Sequence, residues 1–263
     1  MDIGQLSAYA LELATASATK TPIEAFTARD KNFRVEEAYA VQLINIRYLV
    51  EKGDRIVGKK IGLTSLAMQE MLGVDESDFG HLLASMNCAD NQVNTDDLLQ
   101  PKIEVELAFV LKSDLCGTNI TVEDVVAATD YVVAAFEIVD SRIADWKIKL
   151  PDTVADNASA GCFILGDVKL TPDKVDLAAC YMKLYKVVDG KDELINDGYG
   201  SAVLGDPRIA VAWLANKMNS FGVSLKAGEV ILSGAFSAAP PAKAGDKFKA
   251  VFTDFGTLEA EFI

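Results

Sequence analysis

The segment Ile103-Glu104-Val105-Glu106-Leu107-Ala108-Phe109-Val110 alternates apolar and acidic side chains over its first half, and this restricts the fold more than any other stretch. Successive side chains on a strand leave opposite faces. Ile103, Val105, Leu107 and Phe109 are therefore expected to face a core, while Glu104 and Glu106 share the other side. A third glutamate, Glu137, interrupts the almost wholly apolar run from Tyr131 to Val139. An ionised carboxylate buried there without a partner is costly, and three together raise one another's pKa. A bound cation removes both problems, and hard oxygen ligands favour Mg2+ or Mn2+ over Zn2+. Taken alone, Glu104 and Glu106 fit equally well on the solvated face of an antiparallel strand. Glu137 tips the balance, because a lone glutamate in an apolar strand is more often functional than part of a core.

Composition narrows the function classes. At 263 residues the chain can bury a substantial core, and with half of its residues hydrophobic it reads as a globular protein. A net charge of -14 argues against nucleic acid or an anionic membrane as the main partner, since both need a basic footprint. The start, Met1 to Leu6, lacks the basic region and apolar stretch of a secretory signal, and no segment approaches the length of a membrane span. A cytoplasmic protein is expected. Cys88, Cys116, Cys162 and Cys180 are widely spaced and read as reduced, small apolar residues. His81 is the only histidine, which rules out a multi-histidine zinc site. It follows Asp78-Phe79-Gly80, where a turn is expected, and a structural role suits it better than a catalytic one. Acid-base work should fall to Lys, Asp or Glu.

Helical spacing marks Ile3 to Leu13 and Val35 to Lys52. A strand over Arg55 to Gly62 and a short helix from about Ser65 to Leu72 are expected next. The only boundary the pattern offers lies near residue 75, dividing a small helical region, 1–74, from a β-dominated domain, 75–263. In the second part, Thr121 and Asp206-Pro207 cap two helices. Asp189-Gly190 marks a hairpin, and three strands are expected within 229–233, 247–252 and 257–262. Gly198 to Gly205 lacks the strand-to-helix context of a dinucleotide loop. Lys60 stands between Gly58 and Gly62, which remove side-chain bulk and let a ligand approach. Alternation sends Lys59 and Lys60 to opposite faces, so at most one of them snorkels to water on a given side.

Several motifs in order, Gly58-Lys59-Lys60-Ile61-Gly62-Leu63-Thr64-Ser65, Asp78-Phe79-Gly80, Pro101 to Ala108, Phe136 to Arg142 and Asp152 to Ser159, resemble the 2-oxopent-4-enoate hydratase family of the fumarylacetoacetate hydrolase-like superfamily. The likeness runs from about residue 35 to the C-terminus. It implies an α+β fold, a mixed β-sandwich or β-roll with a small helical N-terminal region. It implies a Mg2+ or Mn2+ site at Glu104, Glu106 and Glu137, which the strand argument had isolated independently. By motif, Lys60 and Asp78 would transfer protons, and Leu63, Thr64, Ser65, Asp156, Asn157, Ser159 and Ser233 would line the substrate pocket. The activity implied is addition of water to 2-hydroxypenta-2,4-dienoate in aromatic meta-cleavage catabolism. A homo-oligomer is implied too, with association with a 4-oxalocrotonate decarboxylase as a further option. That decarboxylase is the sister group and the main alternative, followed by a silent metal-stabilised partner subunit. Three local details favour the hydratase. The chain has Gly58-Lys59-Lys60-Ile61-Gly62 where decarboxylases tend towards Gly-Leu-Lys-Met-Gly. It has Ser77-Asp78-Phe79-Gly80 where they carry Tyr-Gly without the aspartate, and Arg142 to Ile148 in place of a Tyr-Glu-Asn-Phe type segment.

Overall fold

The computed structural model describes residues 1–65, 69–70, 74 and 76–263. Most of the helix expected between Ser65 and Leu72 lies outside these residues. The chain opens with α1 (Ile3–Thr19), the single turn α2 (Phe26–Arg29) and α3 (Val35–Glu51). Asp2 caps α1, and its carboxylate accepts the Gln5 amide at 2.9 Å. Ala10, Leu13, Phe26, Ala38 and Val41 form the buried stripe that holds these helices together.

Two mixed sheets make up the body. The larger contains β1 (Ile56–Gly62), β2 (Asp78–Leu83), β4 (Lys102–Leu111), β5 (Thr129–Val139), β6 (Ala160–Leu165) and β9 (Val230–Leu232), in the order β2-β1-β9-β4-β5-β6. The smaller contains β3 (Gln92–Val93), β7 (Tyr181–Val188), β8 (Lys191–Tyr199), β10 (Lys247–Phe252) and β11 (Gly256–Phe262), ordered β3-β11-β10-β7-β8. Asp189 and Gly190 both adopt positive φ in the β7–β8 hairpin, as the Asp-Gly pair requires. Further α-helices are α4 (Val122–Ala128), α5 (Leu150–Ala155) and α6 (Pro207–Ser220), with short 3-10 turns between elements. Thr121 and Asp206 cap α4 and α6, as their sequences indicate. No helix among the described residues is long and apolar enough to cross a membrane.

Ile103, Val105, Leu107 and Phe109 of β4 join Val132, Phe136 and Ile138 of β5 in the main core, with Phe248 and Phe262 contributed by the smaller sheet. The acidic side chains of the same two strands therefore leave by the outer face. That face is not solvated, since Ala108, Val133, Ala135 and Leu232 form a second buried cluster on it. β1 belongs to the larger sheet, pairing antiparallel with β2 and parallel with β9, so strand pairing crosses the division expected at residue 75. Asp78-Phe79-Gly80 forms not a turn but the first half of β2, which is buried along its whole length. Gly80 is there for close approach rather than for turning, because a Cβ at that position would lie 2.3 Å from the Asn157 carbonyl oxygen.

Candidate metal centre and active site

Register brings the three glutamates together. Glu104 of β4 is the direct cross-strand partner of Glu137 of β5, and Glu106 follows two residues along the same face. Each of the three offers a carboxylate oxygen, and these oxygens lie within 4.8 Å of one another. Glu106 and Glu137 are buried and Glu104 is half-buried. Glu106 Oε2 accepts the Gly234 amide at 2.8 Å. Its other oxygen and both oxygens of Glu137 have no hydrogen-bond partner. Buried carboxylates are seldom left in that state, and an all-oxygen set of this geometry suits a hard dication. Burial raises all three pKa values. Glu137 and Glu104 push Glu106 further up, and Lys60 pulls each member of the trio back down.

The Lys60 ammonium lies 3.1 Å from Glu137 Oε1, an ionic contact without hydrogen-bond alignment, and donates to the Ala158 carbonyl at 2.9 Å. Burial works against its charge, but Glu137, Asp78, Glu104 and Glu106 together hold it well above the usual lysine range. Asp78 is buried, and its Oδ1 lacks a hydrogen-bond partner. Burial raises its pKa against the pull of Lys60. Gly62 explains how both groups fit. A Cβ there would stand 2.1 Å from Asp78 Oδ1 and 3.4 Å from Lys60 Nζ, so the missing side chain is the space into which they converge. Lys59 points to the other face and pairs with Glu229 at 2.8 Å.

Lys60, Asp78 and Glu104 line a cavity of about 570 Å³, together with Leu63, Thr64, Ser65 and Ser159. Three other residues expected in the pocket are engaged elsewhere. Asp156 is buried against Arg142, which donates to it from both backbone and guanidinium. Asn157 grips β2, accepting the His81 amide at 2.7 Å and donating to the His81 carbonyl at 2.9 Å. The Ser233 hydroxyl donates to the Leu107 carbonyl at 2.9 Å. His81 itself is buried and bonded through Nδ1 to Gln42 Oε1 at 3.0 Å.

Other residues at the cavity were not singled out from sequence. Lys102 and Trp146 both line it, with the Lys102 ammonium 4.2 Å from the Trp146 ring centroid. Alternation could have flagged Lys102, which stands two residues before Glu104 on the same face. Phe236 and the Gly234 amide come from the loop after β9, and nothing local in the sequence aims that loop at β4.

Two mixed sheets with flanking helices place the chain in the fumarylacetoacetate hydrolase class, as its likeness to known proteins shows. Residues 84–263 match the family model for the fumarylacetoacetate (FAA) hydrolase C-terminal domain. The 4-oxalocrotonate decarboxylase from Pseudomonas putida G7, solved with magnesium and adipate, superposes with a TM-score of 0.94. It is 35% identical, over 100% of this chain and 99% of that one. Among curated proteins, the 2-hydroxyhexa-2,4-dienoate hydratase of Comamonas testosteroni is 48% identical over 231 residues, 87% of this chain and 86% of its own. The 2-keto-4-pentenoate hydratase of Paraburkholderia xenovorans (strain LB400) is 45% identical over 88% and 85%. The chain belongs to the 2-keto-4-pentenoate hydratase family within the fumarylacetoacetate hydrolase superfamily.

Proposed function

We propose that this protein is a divalent-metal-dependent hydratase that adds water to 2-hydroxypenta-2,4-dienoate, giving 4-hydroxy-2-oxopentanoate in aromatic meta-cleavage catabolism. The observation that carries the reading is the buried trio Glu104, Glu106 and Glu137, with unpartnered oxygens, beside the Lys60 ammonium at the wall of a cavity. The trio would hold Mg2+ or Mn2+. A bound dication would supply Lewis acidity at the substrate's 2-oxygen, offsetting the negative charge that gathers there.

The chain's own groups then have defined work. The dienol must lose its hydroxyl proton and gain one at C5 to become the α,β-unsaturated ketone. Water then adds its oxygen at C4 and a proton at C3. Lys60 holds a proton at Nζ on the cavity wall, and Asp78 offers a carboxylate oxygen free to accept one, so we assign proton transfer to this pair. Leu63, Thr64, Ser65 and Ser159 shape the space around the substrate. Asp156, Asn157 and Ser233 act from behind the wall rather than on the substrate. The family resemblance supports a cytoplasmic catabolic enzyme working as a homo-oligomer, alone or in association with a 4-oxalocrotonate decarboxylase.

A decarboxylase is the second reading, supported by the close superposition on the Pseudomonas enzyme. The higher identity to curated hydratases favours hydration. Incubating the purified chain with 2-hydroxypenta-2,4-dienoate and Mg2+ or Mn2+ tests the choice. Loss of dienol absorbance with incorporation of labelled water is expected. CO2 release from 4-oxalocrotonate without hydration would replace the reading with decarboxylation, and silence with both substrates would leave a non-catalytic partner subunit.

A further inference from the structure

We propose that Arg142 is a positioning residue for the Lys60 ammonium, acting through the short loop 156–160, an inference that rests on the assignment of Lys60 to proton transfer. Asn157, Ala158 and Ser159 carry φ of 57°, 51° and 55°, three successive non-glycine residues in the left-handed region. Cβ atoms disfavour that region, and a run of three persists only where the surroundings impose it. The Arg142 guanidinium is the group that spans the run. Its Nη2 donates to the Asp156 carbonyl at 2.6 Å and its Nη1 to the Ala160 carbonyl at 3.0 Å, while Nε bonds Asp156 Oδ1. The Arg142 backbone amide takes the remaining Asp156 oxygen at 2.9 Å. One planar cation therefore grips both ends of the loop, and the carbonyl at its crest, Ala158, receives Lys60 Nζ at 2.9 Å.

The loop also braces β2, the strand that carries the other proton-transfer group, and is itself held by neighbouring elements. Asn157 holds His81 of β2 through a pair of hydrogen bonds, three residues beyond Asp78. The Ser159 carbonyl accepts the Asp140 amide at 2.7 Å, and the Ser159 hydroxyl meets Thr153 Oγ1 at 3.2 Å. Arg142 does not itself line the cavity. A lysine could keep the charge but not the fork, since a single ammonium lacks the rigid planar donors that reach two carbonyls and a carboxylate together.

The test compares wild type with Arg142→Lys, Arg142→Ala and Arg142→Lys combined with Ala158→Gly. Readouts are steady-state kinetics, Mn2+ affinity by electron paramagnetic resonance, melting temperature, and hydrogen exchange of residues 156–160. Misplacing a reacting group by about an ångström costs about 10²-fold, so Arg142→Lys should lower kcat by roughly that factor while KM and Mn2+ affinity stay near wild type. Exchange in 156–160 should quicken. Glycine accepts positive φ without penalty, so Ala158→Gly should restore part of the lost kcat in the Arg142→Lys background. Unchanged kcat and exchange in Arg142→Lys would overturn the proposal. So would a fall in kcat, Mn2+ affinity and melting temperature together without rescue by glycine, which marks a merely structural brace. If Arg142→Ala does not fold, the lysine pair still decides. A wild type inactive on the dienol would instead sink the hydratase reading, and exchange in the variants would still report whether Arg142 holds the loop.

Discussion

Lys60 is the residue on which charge and geometry meet. Its ammonium takes up space beside Glu137 and partly neutralises the trio. Replacing it with glutamine should have two opposite effects. Turnover of the dienol should fall by about 10²–10⁴-fold, the usual range for losing a general acid or base. Mn2+ should bind more tightly, because a competing positive charge has left the carboxylates. Isothermal titration of the K60Q variant checks the second effect independently of catalysis, and weaker Mn2+ binding would contradict the proposed sharing of Glu137.

At the level of elements, β2 is joined to α3 through His81 and Gln42. The Gln42 amide nitrogen donates to the Phe79 and Val154 carbonyls, which leaves Oε1 as acceptor and places the imidazole proton on Nδ1. Burial, and secondarily Lys59, push the His81 pKa from 6.5 down to about 3. The folded state thus resists a proton that the unfolded chain accepts. The stability this group contributes is complete above pH 6.5 and drains away as pH falls towards 3, by up to about 1.4 kcal/mol per pH unit. Urea midpoints measured across that window should fall less steeply for His81→Gln than for wild type. Equal slopes would show that His81 takes up its proton in the folded protein. The joint also shows where sequence reasoning stops. The glutamates of β4 and β5 were legible because alternation is local and Glu137 stood out against an apolar run. Asp78-Phe79-Gly80 read as a turn because its glycine serves the backbone of Asn157, far away in sequence. The bonds of Asp156 to Arg142 and of Asn157 to His81 left no local trace, because these partners meet only once the strands have paired.

Across the whole molecule, the carboxylate trio opposes folding until something satisfies it. Burial raises all three pKa values and leaves three carboxylate oxygens of Glu106 and Glu137 without partners. A dication that binds only the folded state should therefore stabilise the entire chain. At about 100 times its Kd the gain is about 2.7 kcal/mol, with a Tm rise of ~2–4 °C for each kcal/mol in a chain of this size. Differential scanning fluorimetry with and without Mn2+ should show the rise for wild type and its loss in Glu106→Gln. A wild-type Tm indifferent to Mn2+ and Mg2+ would tell against the site. A β-dominated second part and the positions of its later strands were readable from hydrophobic alternation and turn residues, whereas the fold class came from the resemblance to a known family. The pairing of β1 with the strands of the larger sheet was not readable, because a parallel partner at β9 lies about 170 residues away and leaves no local trace.

β4 and β5 give one face wholly to the main hydrocarbon core and set the acids, beside a smaller apolar cluster, on the other. The main core and the reactive groups are thus written on opposite surfaces of one ribbon. A lineage built this way can exchange one transformation for another by editing only the rim around the ion. That accounts for a water-adding enzyme and a carbon dioxide-releasing one tracing almost the same backbone.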